Sequence, residues 1–309
     1  MKNIKRIITL ALSLMLIVSM VACTSNPDNK NNDNNANNSN NGNVNNNNTD
    51  NNKGNDTDKT PVAIKGSVNA GGSTSVEKAA KAALEEFVAL NPEVTFEYDA
   101  TGSSAGIKNV KDGTYKLGFS SRELKEEETQ GIEYKTIALD GIALVVNPNN
   151  KVENITLEQI KGIFTGEIKN WSELGGVDAE IVVVSRENGS GTRSAFEEIA
   201  KIGELLTEKA IIKSGNGEVA SYVAGEQNAI GYTSFVTLES NKDKIKGLQV
   251  ESVKPEVANV QNQTYKLSRP FIMIYDSSKI NEAEKAFIDF LFTEEGQDIL
   301  EEAGAIKLK

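Results

Sequence analysis

Three short stretches combine glycine with side-chain hydroxyls: Gly71-Gly72-Ser73-Thr74-Ser75, Gly102-Ser103-Ser104-Ala105-Gly106 and Asn188-Gly189-Ser190-Gly191-Thr192. Each falls between a strand-like run and a helix-like one. Unpaired backbone N–H groups at a helix start point outward, the helix dipole favours negative charge there, and glycine lets a ligand approach the backbone. Hydroxyls add donors that can rotate. Taken singly, each stretch is better explained by helix capping, for which Ser and Thr are ordinary residues. Three in one chain, with an arginine beside one of them, point instead to a site for a small oxyanion. That arginine is Arg186, four residues before Ser190. Its planar fork matches two oxygens of a tetrahedral oxyanion; the plainer alternative is an ion pair with Glu187. A fourth loop, Ser121-Arg122-Glu123, leads into an acidic helical run. Ser121 could cap that run, and Arg122 could face the anion or pair with Glu126.

Other chemistries are thinned out by composition. The 309-residue chain has no histidine and a single cysteine, Cys23. Ser-His-Asp and Cys-His catalysis, His-ligated metals, thiolate cages and internal disulfides are therefore excluded. A Ser-Lys or paired-carboxylate enzyme stays formally open, and so does a hydrolase built on Ser190. However, the segment 188–192 does not match GxSxG, and no lysine lies near it in sequence. The formal charge of −11 argues against nucleic-acid partners and against direct adhesion to anionic lipid.

The elements that must hold these loops alternate. Strand-like runs are expected at residues 63–68, 95–98, 116–120, 142–146, 181–185, 230–233 and 270–275. Helices are expected at 76–90, 106–111, 157–164, 193–202, 282–292 and 295–303. Such βα alternation predicts open, largely parallel sheets with helices on both faces. Ligands then lie beyond the carboxyl ends of strands, where the loops fall. Trp171 is expected to pack in a core, as are Phe87, Phe287, Phe290 and Leu291.

Ahead of this region, Lys2, Lys5 and Arg6 precede an apolar run at residues 7–21 that is shorter than the ~20 residues of a comfortable membrane span. The run ends at Ala22-Cys23, which resembles a bacterial lipobox with Met20 where leucine is usual. Residues 1–22 are therefore expected to be a signal peptide and Cys23 the lipidation site. Losing Lys2, Lys5 and Arg6 takes the charge from −11 to about −14. Residues 24–60 are dominated by asparagine and almost free of apolar side chains, the composition of a disordered tether. At about 5–6 Å times the root of its length, such a tether reaches roughly 35 Å.

Several motifs together carry a family resemblance. They are Ala70-Gly71-Gly72-Ser73-Thr74-Ser75, Thr101-Gly102-Ser103-Ser104-Ala105-Gly106 and Ser185-Arg186-Glu187-Asn188-Gly189-Ser190-Gly191-Thr192, supported by residues 157–166 with Trp171, by Leu267-Ser268-Arg269-Pro270 and by residues 287–297. Over residues 63–308 the chain resembles the phosphate-binding proteins of bacterial phosphate ABC transporters, in their shorter Gram-positive-like form. The resemblance implies an α/β type II periplasmic-binding-protein fold, with two lobes of open, mostly parallel sheets joined by two crossovers. One lobe would be residues 61–140 plus 266–309, the other 141–265, after a lipidated tether at 23–60.

It also implies ligand roles for Thr74, Ser75, Ser103, Arg186, Ser190, Gly191 and Thr192, with Ser121 and Arg122 as further candidates. In the family's long form an aspartate at the position of Ser121 accepts a proton from phosphate, and an acidic residue at the position of Asn188 partners the arginine. This sequence has neither, so exclusion of sulfate cannot follow that route. The implied function is an extracytoplasmic, monomeric lipoprotein receptor, not an enzyme and without cofactor. It would hand inorganic phosphate to the membrane permease subunits of an ABC importer, touching the membrane only through its lipid. A receptor for sulfate, molybdate or phosphonate is the alternative within the same class, and a leashed adhesin the alternative outside it.

Overall fold

The computed structural model describes residues 63–308; the signal segment, Cys23 and the tether lie outside the described residues. In chain order the strands are β1 (Gly66–Gly72), β2 (Val94–Asp99), β3 (Leu117–Ser120), β4 (Glu133–Val146), β5 (Asn154–Ile155), β6 (Val182–Arg186), β7 (Ile211–Lys213), β8 (Ala229–Ser234), β9 (Lys246–Gly247), β10 (Gln249–Val250) and β11 (Ser268–Tyr275). Between and after them run helices α1 (Glu77–Leu90), α2 (Ser103–Lys111), α3 (Leu157–Thr165), α4 (Gly191–Ile199), α5 (Asn216–Gly225), α6 (Phe235–Ser240), α7 (Val257–Gln261), α8 (Glu282–Leu291) and α9 (Glu294–Glu302).

Local chemistry sets the element ends. In α1, Ala79, Ala80, Ala83, Leu84 and Phe87 recur at helical spacing and form the buried stripe. Asn91 closes that helix by donating from Nδ2 to the Phe87 carbonyl (2.8 Å), and Pro92 cannot continue it. Reciprocal capping boxes, Thr156 with Gln159 and Asn281 with Glu284, start α3 and α8.

The main sheet runs β2-β1-β3-β11-β4-β8-β6-β7, with β9 beside β4. Its two flanks are parallel, β1 against β2 and β3, and β6 against β7 and β8. Through the middle it is antiparallel, because β11 pairs with β3 and β4, and β4 with β8. The expected parallel arrangement is thus confined to the flanks. A return strand from the far end of the sequence enters between β3 and β4, a pairing that no local pattern can announce. The strand expected at 142–146 is the second half of β4. β1 begins later than expected and extends to Gly72, so the first loop shrinks to Ser73, Thr74 and Ser75.

Among the described residues, two large hydrophobic cores divide the fold into two lobes, and a third, smaller cluster gathers Ile107, Val110, Tyr115, Ile272 and Ile274. Of the large cores, one gathers Val68, Leu84, Phe119, Ile137, Phe271 and Phe287; the other gathers Leu144, Phe164, Trp171, Val184, Phe196 and Tyr232. Trp171 is fully buried and donates from Nε1 to the Asn228 carbonyl. β4 serves both cores, Ile137 and Ala138 in one and Ile142 to Val146 in the other. Beside that passage β11 pairs Ser268 with Gly141 and Arg269 with Asp140, so the lobes are bridged by a two-stranded ribbon.

Candidate anion-binding site

The loops leave the sheet at glycines. Gly72 has φ +127°, and a Cβ there would lie 2.4 Å from the Phe119 carbonyl oxygen, so the chain can turn off β1 only with glycine. Gly102, at φ +93°, precedes α2 and donates its N–H to the Gly72 carbonyl, tying the first loop to the second. Capping accounts for one of the three stretches. Ser190 caps α4, accepting from the Arg193 N–H at 3.2 Å. Neither α1 nor α2 has a side-chain cap. Their hydroxyls are turned to other partners.

Those partners lie on the facing loops. Ser75 Oγ and Thr192 Oγ1 are 2.8 Å apart. Ser73 Oγ donates to Ser121 Oγ (2.9 Å), and the Ser121 N–H donates to Ser103 Oγ (3.1 Å). The Ser104 N–H reaches the Gly189 carbonyl (3.1 Å). A Cβ on Gly191 would sit 2.2 Å from Ser103 Oγ and 2.8 Å from Ser121 Oγ, so that glycine marks the closest approach. Ser75, Ser103, Ser121, Ser190 and Thr192 are all buried, and Thr74 lies at the edge of the cluster.

Arg186 joins them. Its guanidinium is 1 % exposed and holds Glu187 through Nε (2.8 Å) and Nη2 (2.9 Å), so the plainer expectation is also met. Nη2 further donates to Thr74 Oγ1 at 3.2 Å. Its Nη1 is buried with no hydrogen-bond partner. A buried donor of this kind costs about 1–3 kcal/mol, more when charged, unless an acceptor meets it.

Arg122 behaves differently. Both its terminal nitrogens grip Glu128 at 2.7 Å, Nη1 also donates to the Glu123 carbonyl, and Nη2 donates to Ser104 Oγ at 3.2 Å. Its acidic partner is Glu128, not the expected Glu126, because residues 126–128 form a single 3₁₀ turn instead of an α-helix. That pair holds the Glu128 carboxyl below its usual range.

Three residues of the cluster are not candidates on sequence grounds. Arg269 donates from Nη2 to Ser75 Oγ (3.0 Å) and from Nη1 to Ser121 Oγ (3.4 Å). Its counter-charge is Asp140, fully buried and gripped at 2.8 and 3.0 Å. Burial pushes the Asp140 carboxyl up to about 6 against the pull of Arg269, and burial likewise lowers the Arg269 guanidinium. Desolvation thus outweighs mutual attraction on both partners. Asn216, at the start of α5, donates from Nδ2 to Thr74 Oγ1 (3.0 Å) and Ser75 Oγ (2.9 Å). The signals are present but weak: a lone aspartate in an apolar strand, an arginine inside Leu267-Ser268-Arg269-Pro270, and one more small-polar loop, Ser214-Gly215-Asn216-Gly217.

The cluster therefore offers hydroxyls and two guanidiniums, each guanidinium partly neutralised by its own carboxylate. That combination can replace the hydration shell of a small anion without leaving a large net charge buried. Comparison with known proteins agrees with this chemistry. A PBP superfamily domain model matches residues 50–295. The phosphate-binding protein PstS of Bacillus subtilis is 34 % identical over 247 residues, covering 78 % of this chain and 80 % of the relative. PstS of Borreliella burgdorferi is 32 % identical over 251 residues, covering 78 % and 90 %. Among solved structures, a phosphate ABC transporter substrate-binding protein from Clostridium perfringens with bound phosphate is 48 % identical, with a TM-score of 0.77 over 79 % of this chain and 100 % of that one. An ABC-type phosphate transport receptor from Vibrio cholerae is 34 % identical, with a TM-score of 0.66 over 78 % and 100 %.

Proposed function

We infer the task of this chain from one premise: it belongs to the PBP superfamily and, within it, to the phosphate-binding proteins PstS. It is a phosphate receptor for an ABC importer. We propose that the anion is held where the loops converge, by Thr74, Ser103, Ser121, Arg186, Ser190, Gly191 and Thr192, with Ser75 acting through Thr192, 2.8 Å away. Arg122 acts there as a brace for Ser104, not as a ligand. The observation that carries this assignment is the buried, partnerless Nη1 of Arg186 amid side chains that are nearly all donors. An oxyanion is the acceptor such an arrangement calls for.

Lobe boundaries near residues 140 and 266 fit this scheme, since the ribbon of β4 and β11 crosses there. Closing the lobes buries the anion and gives membrane permease subunits a shape to recognise. Attachment through a lipidated Cys23, an extracytoplasmic location and a monomeric state complete the proposal. They are supported by the signal-like N-terminus and the asparagine-rich leash. No catalytic step is proposed: Ser190 is occupied as a helix cap and has no histidine to activate it.

Titration calorimetry of the folded protein against phosphate, sulfate, molybdate and a phosphonate tests the whole. Phosphate is expected to bind most tightly; a clear preference for another of the four would overturn the assignment of cargo. Mass spectrometry of membrane-extracted protein should show a diacylglyceryl Cys23, and an unmodified N-terminus would remove the anchor.

A further inference from the structure

Deepening the phosphate reading, and resting on it, we propose that Asn216 is a positioning residue that fixes the direction in which the hydroxyl protons of Thr74 and Ser75 point. A hydroxyl has one proton to give and two lone pairs with which to accept. Thr74 Oγ1 accepts from Arg186 Nη2 (3.2 Å) and from Asn216 Nδ2 (3.0 Å). Ser75 Oγ accepts from Arg269 Nη2 (3.0 Å) and from the same Asn216 Nδ2 (2.9 Å). Both lone pairs of both oxygens are thereby engaged, and each hydroxyl is left able only to donate. Ser75 gives its proton to Thr192 Oγ1, 2.8 Å away, which frees the Thr192 proton to be passed on. Thr74 is left with a proton for the anion. Polarised chains of this kind strengthen each successive donor.

The amide can do this only in one orientation. Turned over, its oxygen would accept the two hydroxyl protons and withdraw them from the site. Thr233 sets the orientation, donating from Oγ1 to Asn216 Oδ1 at 3.2 Å, and Thr233 is itself fully buried in β8. Two arginines on the outer sides of Thr74 and Ser75 can only donate, which forces the same choice. The Thr74–Ser75 side of the site therefore takes unprotonated oxygens of the ligand. Any oxygen that carries a proton must face Ser190, which accepts a single backbone N–H and keeps a lone pair; Ser103 Oγ meets both the N–H and the Oγ of Ser121.

A double-mutant cycle read by phosphate titration tests this. Asn216→Asp keeps the shape but replaces the donor with an acceptor, so it turns the Thr74 hydroxyl away from the anion and breaks the Ser75–Thr192 relay. The added carboxylate also repels the anion, but equally so whether or not Thr74 has a hydroxyl. Asn216→Asp is expected to weaken phosphate binding by at least about tenfold in the wild-type background, and by no more than about threefold in Thr74→Val. Equal losses in the two backgrounds, or unchanged affinity of Asn216→Asp, would sink the proposal. If Asn216→Asp does not fold, Thr233→Val releases the amide with no change of charge. It should then weaken binding several-fold in the wild-type background and by a clearly smaller factor in Thr74→Val, where only the Ser75–Thr192 branch responds; the same loss in both sinks the proposal equally. Wild-type protein that takes up no phosphate would instead bring down the receptor reading itself, and this inference with it.

Discussion

Arg186 and Arg122 look alike in sequence. Each lies at or just beyond a strand end, each is followed directly by a glutamate, and each is nearly buried, at 1 % and 7 % exposure. Their surroundings separate them. Glu128 reaches Arg122 from a short turn and engages both terminal nitrogens at once, while Ser104 and a backbone carbonyl take more of its donors. Glu187 meets Arg186 only along its Nε and Nη2 edge, and Nη1 is left without a partner. Arg269 stands between the two, tightly paired with Asp140 yet still reaching Ser75 and Ser121. An arginine whose own protein leaves part of its fork unsatisfied still has a donor to offer a ligand. Burial alone does not provide one.

The largest effect should come from removing the unsatisfied fork. Arg186→Ala is expected to weaken phosphate binding by about 3 kcal/mol, upwards of a hundredfold, in isothermal titration. Unchanged affinity would reverse the contrast between the two arginines. Next comes the closest approach between loops. Gly191→Ala drives a methyl group into Ser103 and Ser121, a cost of roughly 1–3 kcal/mol. It should lower affinity roughly ten- to thirtyfold, and small-angle scattering should show a larger radius with phosphate present than for the wild type.

The intermediate arginine is probed through its counter-charge. Burial lifts the folded-state Asp140 carboxyl to about 6, above its ordinary 3.8, so between those values the folded protein holds a proton that the unfolded chain releases. Stability from this group is full below about pH 4 and is lost as pH rises through 6. Asp140→Asn lacks that loss. Its melting temperature should gain on the wild type between pH 4 and 7, by the equivalent of roughly 2 kcal/mol. A gap that widens the other way would show that Arg269 holds the carboxylate ionised. The smallest effect on affinity belongs to Arg122→Ala, expected to stay within about threefold of wild type while stability falls by roughly 1–3 kcal/mol. A large loss of affinity there would return Arg122 to the ligand set.

How legible the site was in the sequence followed how local its parts are. Gly72, Gly102 and Gly191 sit in short motifs whose backbone chemistry can be read within five residues, and the loops they open did converge. The roles of Arg269 and Asp140 depend on β11 pairing with β4 across more than a hundred residues, which no periodicity reveals. Asn216 follows a strand of three residues, Ile211–Lys213, too short to stand out in sequence, so nothing local ties its loop to the others. The fold shows the same division. Helices α1, α3, α8 and α9 were found within a residue or two, from apolar spacing and caps, whereas the antiparallel middle of the sheet had no local signature.

The ribbon of β4 and β11 has a mechanical consequence. A hinge made of loops is a free pivot, with no preferred angle and little resistance. Here the backbone stays paired through the crossing, with Asp140 opposite Arg269 and Gly141 opposite Ser268. Turning one lobe against the other must flex that ribbon elastically, as in a flexure bearing, and flexing carries a rest angle and a restoring torque. The rest angle is set by residues packed along the ribbon, such as Ile137, Phe271 and Leu267, which belong to the two cores. Substitutions there would tune how wide the receptor stands when empty without touching a single anion ligand.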